Sequence, residues 1–273
     1  MISKQLVFFS LLLCSFFPQG EAQTPVHFVV EQRIPGFFSE VAVDQLNFIY
    51  LITRGGQLKK YNIRGDSMGM FNEVRRLGQL TAIDVSNPMK TLLFYQHFNT
   101  GVVLDRFLGR RNTLDLRQAN LLQVKAISQA FDNGYWVYDE QESRIKHLDE
   151  KGSITDQFAD FRLLFDSLPS PQKIIDQNKN LYLYDPEKGV YIFDYYGSFR
   201  KRLPYKGWKD FTVIHPYMLG HDNQFLYRVN LQTLEQESYP LISAFAEASK
   251  ILVTSTFVYV LKIDQLEVYR FHP

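Results

Sequence analysis

Gly65-Asp66-Ser67-Met68-Gly69 spells the G-x-S-x-G pattern of a serine-hydrolase nucleophile elbow. That chemistry needs a strand running into the serine and a helix leaving it, so that the hydroxyl stands exposed beside an oxyanion hole. Here Met70-Phe71 continues in a strand pattern, and Gly65 recurs in register with Gly152 and Gly197. A repeated turn therefore accounts for the motif, and no stretch remains for a separate hydrolase domain. The six histidines, His27, His97, His147, His215, His221 and His272, form no H-E-x-x-H and no i, i+4 pair. Helical zinc sites are excluded on spacing, and each histidine is expected at the surface or in a loop, with His215 and His221 at opposite ends of one strand. The single cysteine, Cys14, lies in an apolar leader, so thiolate catalysis, disulfides and Cys-based zinc sites leave the mature chain together.

Asp84, Asp132, Asp176 and Asn223 fall in turns, where a short side chain bonds its own backbone. No D-x-[DN]-x-[DN]-G calcium loop occurs. The better candidates for recognition are aromatic. Tyr195-Tyr196 in a turn, and Trp208 between Gly207 and Lys209 in a connection, could stack on a sugar or anchor a protein. The reading favoured over this one has them covering seams between adjacent sheets. Trp136 alternates within a strand and is assigned to the core.

With 30 basic and 29 acidic residues the net charge is +1, which offers nucleic acid no long-range attraction, so none is expected as a partner. Lys4, the apolar stretch Leu6 to Phe17 and the small-x-small site Gly20-Glu21-Ala22 form an export signal over residues 1–22. The apolar stretch falls short of the roughly 20 residues a membrane helix needs. A mature chain 23–273 without a transmembrane segment is expected, periplasmic or secreted. Lipid anchoring through Cys14 is the alternative, disfavoured because Leu13 is larger than the Gly or Ala such sites prefer.

The elements that would position these residues are written as a repeat. Aromatic residues reach 15%, with 23 Phe and 16 Tyr, which suits strands. Six apolar segments carry Tyr50, Tyr95, Tyr138, Tyr184, Tyr227 and Tyr259 at steps of 45, 43, 46, 43 and 32 residues, and each is expected to be the second strand of a unit. Asp44, Asp84, Asp132, Asp176 and Asp222 are expected just after first strands. Gly65, Gly152 and Gly197 are expected between third and fourth strands, at a positive φ that glycine adopts freely. Helical periodicity is absent except in short pieces near Leu116 to Gln123 and Leu241 to Ser249. Repeats of this length mark arrays of small sheets. The last unit has three strands, and His27 to Ile34 is a strand with no unit of its own. Pairing the two closes the array and hides an edge. The fold expected is an all-β, six-bladed β-propeller forming one domain.

Asp132-Asn133-Gly134-Tyr135-Trp136-Val137-Tyr138-Asp139 with Ser143 to Gly152, and Asp176 to Phe199 with Asn180-Leu181-Tyr182-Leu183-Tyr184-Asp185, resemble the NHL repeat of six-bladed propellers. The likeness is close in these two units and looser elsewhere, and such propellers, TolB-like ones included, are mostly binding proteins. Six-bladed lactonases of the gluconolactonase and paraoxonase kind hold calcium at the channel, which leaves calcium as the one cofactor considered. Fold analogy supplies no function. The sequence favours a non-enzymatic scaffold of the bacterial envelope that binds a protein, an outer-membrane one included. A hydrolase or lyase acting on a lactone, glycan or peptide, with a metal at the central channel, is the alternative.

Overall fold

The computed structural model describes residues 27–272; the segment expected to be an export signal, with Cys14, lies outside them. Strand β1 (His27–Pro35) enters first and leaves its own sheet for later. Blade one is β2 (Phe38–Val43), β3 (Ile49–Thr53), β4 (Leu58–Tyr61) and β5 (Ser67–Phe71). Blade two is β6 (Ala82–Asp84), β7 (Lys90–Tyr95), β8 (Thr100–Asp105) and β9 (Arg110–Asp115). Blade three is β10 (Val124–Gln129), β11 (Tyr135–Asp139), β12 (Arg144–Leu148) and β13 (Ile154–Gln157). Blade four is β14 (Lys173–Gln177), β15 (Asn180–Asp185), β16 (Gly189–Asp194) and β17 (Phe199–Leu203). Blade five is β18 (Lys209–Ile214), β19 (Tyr217–His221), β20 (Phe225–Asn230) and β21 (Gln236–Pro240). Blade six has β22 (Lys250–Val253), β23 (Phe257–Leu261) and β24 (Gln265–His272), and β1 pairs antiparallel with β24 as its fourth strand, Pro35 opposite Gln265. The six-bladed propeller closed by the N-terminal strand is thus what the chain forms, with β1 as the outer strand of the last blade.

Apolar burial is distributed over six seams rather than one centre. Between blades three and four, Trp136, Tyr138, Phe158, Phe161, Ile174, Tyr191 and Phe193 pack together, with Phe161 stacked on Phe193 at 5.1 Å. Equivalent clusters fill the other five seams. Each wholly buried large side chain stabilises by roughly 1.5–3 kcal/mol, so neighbouring blades depend on one another for most of their stability.

The turn between third and fourth strands recurs with its chemistry intact. Asn62, Asp105, Asp149, Asp194 and Asn230 each accept backbone N–H groups two and then three or four residues on. Gly65, Gly152 and Gly197 follow at φ of 84°, 92° and 80°, as expected. In blades two and five the left-handed position is held by Leu108 and Leu234, at φ of 67° and 61°. Ser67 opens β5, so a strand and not a helix follows the G-x-S-x-G glycine, and the elbow geometry is absent.

Four placements need correction: Asp84 and Asp176 lie within the first strands β6 and β14 rather than in turns after them, and two residues of blade five belong to later strands than expected. Tyr227 lies in β20, the third strand of its blade, and Asp222 follows β19, the second. Blade five has a second strand, Tyr217–His221, with its tyrosine at the opposite end, so Tyr227 was matched one strand late. That slip explains the short final step of 32 residues. The helical pieces prove to be single 3-10 turns at Leu116–Ala119 and Ser243–Phe245, with others at Gln96–Phe98 and Phe161–Leu163, beside one α-turn at Val74–Leu77.

Candidate functional site

The first strands of all six blades face a central channel of about 1550 Å³. Because first and second strands are antiparallel, Lys173 lies opposite Tyr184 at one end of blade four and Gln177 opposite Asn180 at the other. The two mouths therefore differ. One, the turn face, carries the loops joining strands one to two and three to four. The other, the connector face, carries the loops joining strands two to three and the links between blades.

On the turn face, the end of β14 brings Asp176 to the mouth of the channel. Its carboxylate joins two blades: Oδ2 accepts the Phe131 backbone N–H at 3.0 Å and the Trp136 Nε1–H at 2.9 Å, and Oδ1 accepts the Tyr195 hydroxyl. Burial pushes the Asp176 carboxyl upward, opposed by those three donors; burial and the bond to Asp176 push the Tyr195 hydroxyl up as well. Phe131 stacks face to face on Tyr195 at 4.5 Å and 4°, yet remains 67% exposed. The result is a fixed aromatic platform at the channel mouth. Tyr196, the next residue, stands 92% exposed on the same turn. Of the three aromatic candidates, Tyr195 and Tyr196 thus belong to one surface.

Trp208 does not join them. It is only 8% exposed and stacks on Tyr227 at 5.3 Å and 3°, within the seam of blades four and five. Gly220 leaves the space, since a Cβ there would come 2.7 Å from the Trp208 ring. The Trp208 carbonyl accepts the Tyr184 hydroxyl at 2.7 Å, and burial raises that hydroxyl to about 12. Trp208 is a wedge between sheets, as the seam reading has it, and its candidacy as an exposed binding ring is withdrawn.

Two histidines also depart from expectation. His221 is buried, with Nε2 2.9 Å from Asp210 Oδ2 and Nδ1 2.9 Å from the Asp222 carbonyl. His147, half-buried beneath Trp136, has Nε2 3.1 Å from Asp132 Oδ1 and Nδ1 2.7 Å from Thr155 Oγ1. A carboxylate only accepts, so Nε2–H donates to Asp132, while Thr155 Oγ1 lies within hydrogen-bond reach of both Nδ1 and, at 3.3 Å, the His147 carbonyl. Gly134 makes this approach possible, since a Cβ there would lie 2.9 Å from His147 Nε2 and 3.0 Å from Asp132 Oδ1. His97 and His215 are exposed as expected.

The residues considered for calcium are occupied otherwise. Asp84 accepts N–H groups from Ser86 and, across the seam, Gln129; Asp132 takes Gly134 and His147; Asn223 takes Lys209. Among the described residues no three His, Cys, Asp or Glu side chains are grouped to hold a metal ion. No helix among them is long and apolar enough to cross a membrane.

On the connector face the lining is charged. Lys250 lies between Glu40 at 3.1 Å and Asp210 at 3.3 Å. Burial alone would raise the Asp210 carboxyl, but the His221 hydrogen bond, the Lys250 charge and the Ile251 N–H together hold it below the usual range. None of this cluster was singled out from sequence.

No family model matches the chain, and no curated protein matches it. Solved structures do. The WD40 domain of Neurospora crassa Pan2 superposes with a TM-score of 0.60 at 12% identity, over 86% of this chain and 79% of that one. A streptogramin B lyase gives 0.59 at 12% identity, over 91% and 88%. A catalytically inactive virginiamycin B lyase from Staphylococcus aureus, crystallised with quinupristin, gives 0.58 at 10% identity, over 90% and 99%. At such identities the similarity is one of fold, shared by proteins of different activity.

Proposed function

We propose that this chain is an exported, non-enzymatic propeller of the bacterial envelope that holds a protein partner, an outer-membrane protein, against its turn face. The observation that carries the reading is the Phe131–Tyr195 stack at the channel mouth, with Tyr196 beside it in the chain. Rigid, exposed aromatics lose little entropy on docking and dominate protein interfaces. Leu46, Met89, Phe107 and Leu234 add exposed apolar side chains at turns of the same face. The connector face also exposes Phe37, Phe98, Leu163 and Ile263, but none of these is held in an aromatic stack. The apolar leader with its small-x-small site supports export. Cross-linking in native membranes, followed by purification, tests the reading. A defined partner lost in Phe131→Ala and Tyr196→Ala is expected; recovery of the wild-type chain only as a free monomer counts against it.

A second reading rests on the Thr155–His147–Asp132 chain of hydrogen bonds, an order of hydroxyl, imidazole and carboxylate that suits acyl transfer. Thr155 sits on an exposed outer strand. Labelling of Thr155 by a fluorophosphonate, abolished in His147→Gln, supports it. An unlabelled Thr155 removes it and leaves binding as the function.

A further inference from the structure

Outer strand β17 differs in charge from the outer strands of the other five blades. Arg33 of β1 and Arg110 and Arg111 of β9 are matched by Glu267, Glu73 and Glu150, and β5, β13 and β21 hold no lysine or arginine. In β17, Arg200, Lys201 and Arg202 follow one another, all exposed, and only Arg200 has a carboxylate partner, Asp194 at 2.8 Å. Strand alternation sends neighbouring side chains to opposite faces, yet two of these share one. Lys201 is opposite Ile192, and Ile192 opposite Tyr182, so Lys201 stands in a row on the face that packs against blade five. Phe199 is opposite Phe193, which leaves Arg200 as the extra residue of a bulge. A bulge re-aims a side chain, and Arg200 lines the same cleft as Lys201. Arg202 points away, over the Tyr191 ring at 5.9 Å, in the seam with blade three.

That cleft has a volume of about 230 Å³. Buried Tyr182 and Ile192 form its floor, and turns of blades four and five supply Asn178, His215 and Gln232, so it opens on the outer part of the turn face. It is smaller than the roughly 300–1,000 Å³ of drug-sized ligand pockets and takes one charged group with little more than a ring behind it. No carboxylate lines it. Asp194, which holds Arg200, is already engaged by the Tyr196 and Ser198 N–H groups. Among the described residues the Lys201 ammonium, the His215 ring and the side-chain amides of Asn178 and Gln232 have no hydrogen-bond partner. Free donors from one strand and three turns thus surround a space small enough for each to reach its middle. A planar carboxylate offers two oxygens, whereas a phosphate monoester offers three, pointing in different directions. With no acid in the wall, its second negative charge meets little repulsion.

We propose that the cleft between blades four and five binds a phosphate monoester, its oxygens held by Lys201 and Arg200 with His215 and Gln232 closing round them. The Phe131–Tyr195 stack lies on the other flank of blade four, in the seam with blade three, so this site does not rest on a protein docking at the platform. The test is a titration of isotope-labelled chain 23–273 with glucose 6-phosphate, glucose and glucuronate at fixed ionic strength and about pH 8, where a phosphate monoester is a dianion. Backbone amide signals are followed. Saturable shifts centred on Arg200, Lys201, His215 and Gln232 are expected with glucose 6-phosphate and not with glucose. Lys201→Gln, an exposed change that leaves folding intact, should weaken binding at least about fivefold, while Arg202→Gln, the same loss of charge on the opposite face, should change it less than about twofold. Sedimentation with phosphatidylcholine vesicles containing phosphatidic acid separates the two sources of such a group. Vesicle binding lost in Lys201→Gln identifies a lipid headgroup, and binding of the soluble sugar phosphate alone identifies a free ligand. Saturation with neither phosphate, glucuronate binding as tight as glucose 6-phosphate, or equal weakening by Lys201→Gln and Arg202→Gln would overturn the proposal.

Discussion

Asp176→Ala removes the acceptor that ties blade three to blade four at the turn face. Three donors lose their partner: the Phe131 N–H at 3.0 Å, the Trp136 Nε1–H at 2.9 Å and the Tyr195 hydroxyl. An unpaired buried donor costs about 1–3 kcal/mol. Phe131 and Tyr195 line the channel, where water can replace the carboxylate, whereas Trp136 is buried and cannot be served that way. Some cost is returned, because burial disfavours the charged carboxyl and its removal relieves that penalty. The net loss works out at about 2–3 kcal/mol, or roughly 5–10 °C in Tm for a chain of this size. Asp176→Asn keeps one acceptor oxygen and should lose about 1 kcal/mol. Urea unfolding followed by tryptophan fluorescence, with calorimetry beside it, measures both. An Asp176→Ala protein within 0.5 kcal/mol of wild type, or an Asn variant less stable than the Ala one, would refute the role assigned to this carboxylate.

Leu234→Gly should stabilise by about 0.5–1 kcal/mol in equilibrium unfolding, since Leu234 sits at φ 61° and is 42% exposed, with little burial to lose. Gly189→Ala should cost at least about 3 kcal/mol and lower expression, because its Cβ would lie 2.2 Å from the Leu203 carbonyl oxygen at φ 106°. In acid, stability should fall as pH drops below about 4. Asp210, Asp222 and Glu267 are each pushed up by burial but held below the usual carboxylate range by their donors and cations, so their contribution is full above the unfolded pKa and is lost as they protonate. Asp176, raised in the folded state, works in the opposite direction, and the Asp176→Asn protein should lose stability more steeply over the same acid range. Chemical denaturation at several pH values checks the sign. Deleting residues through Pro35 removes the strand paired with β24 and should yield aggregated protein on size-exclusion chromatography.

What the sequence disclosed and what it hid follow from the range of each interaction. Turn chemistry is local, so Gly65, Gly152 and Gly197 could be placed from spacing alone, and the orphan strand at His27 announced the closure. Tyrosine spacing counted the blades, although Tyr227 occupies a different strand from Tyr184. Sequence left Trp208 open between binding and burial because its stacking partner, Tyr227, lies two strands further along, in the third strand of the blade that Trp208 leads into, and no local pattern reports that stack. Asp84 and Asp176, expected in turns, end up inside the first strands β6 and β14 and bond across seams, Asp84 to Gln129 and Asp176 to Phe131. Phe131 itself went unnoticed beside Asp132, for the same reason. Lys125, Lys173, Lys209 and Lys250, at or one residue inside the starts of the inner strands of blades three to six, carry a periodic signal that becomes visible only when strand starts are known.

The central claim is that the aromatic turn face is where a protein is held. The most direct measurement is site-specific photo-cross-linking in cells, with a benzophenone residue placed at Tyr196 and, as a control, at Leu163 on the connector face. A single protein adduct from position 196, absent at 163 and lost when Phe131→Ala is added, is the result expected. Equal adducts from both faces, or none from position 196, would contradict the claim.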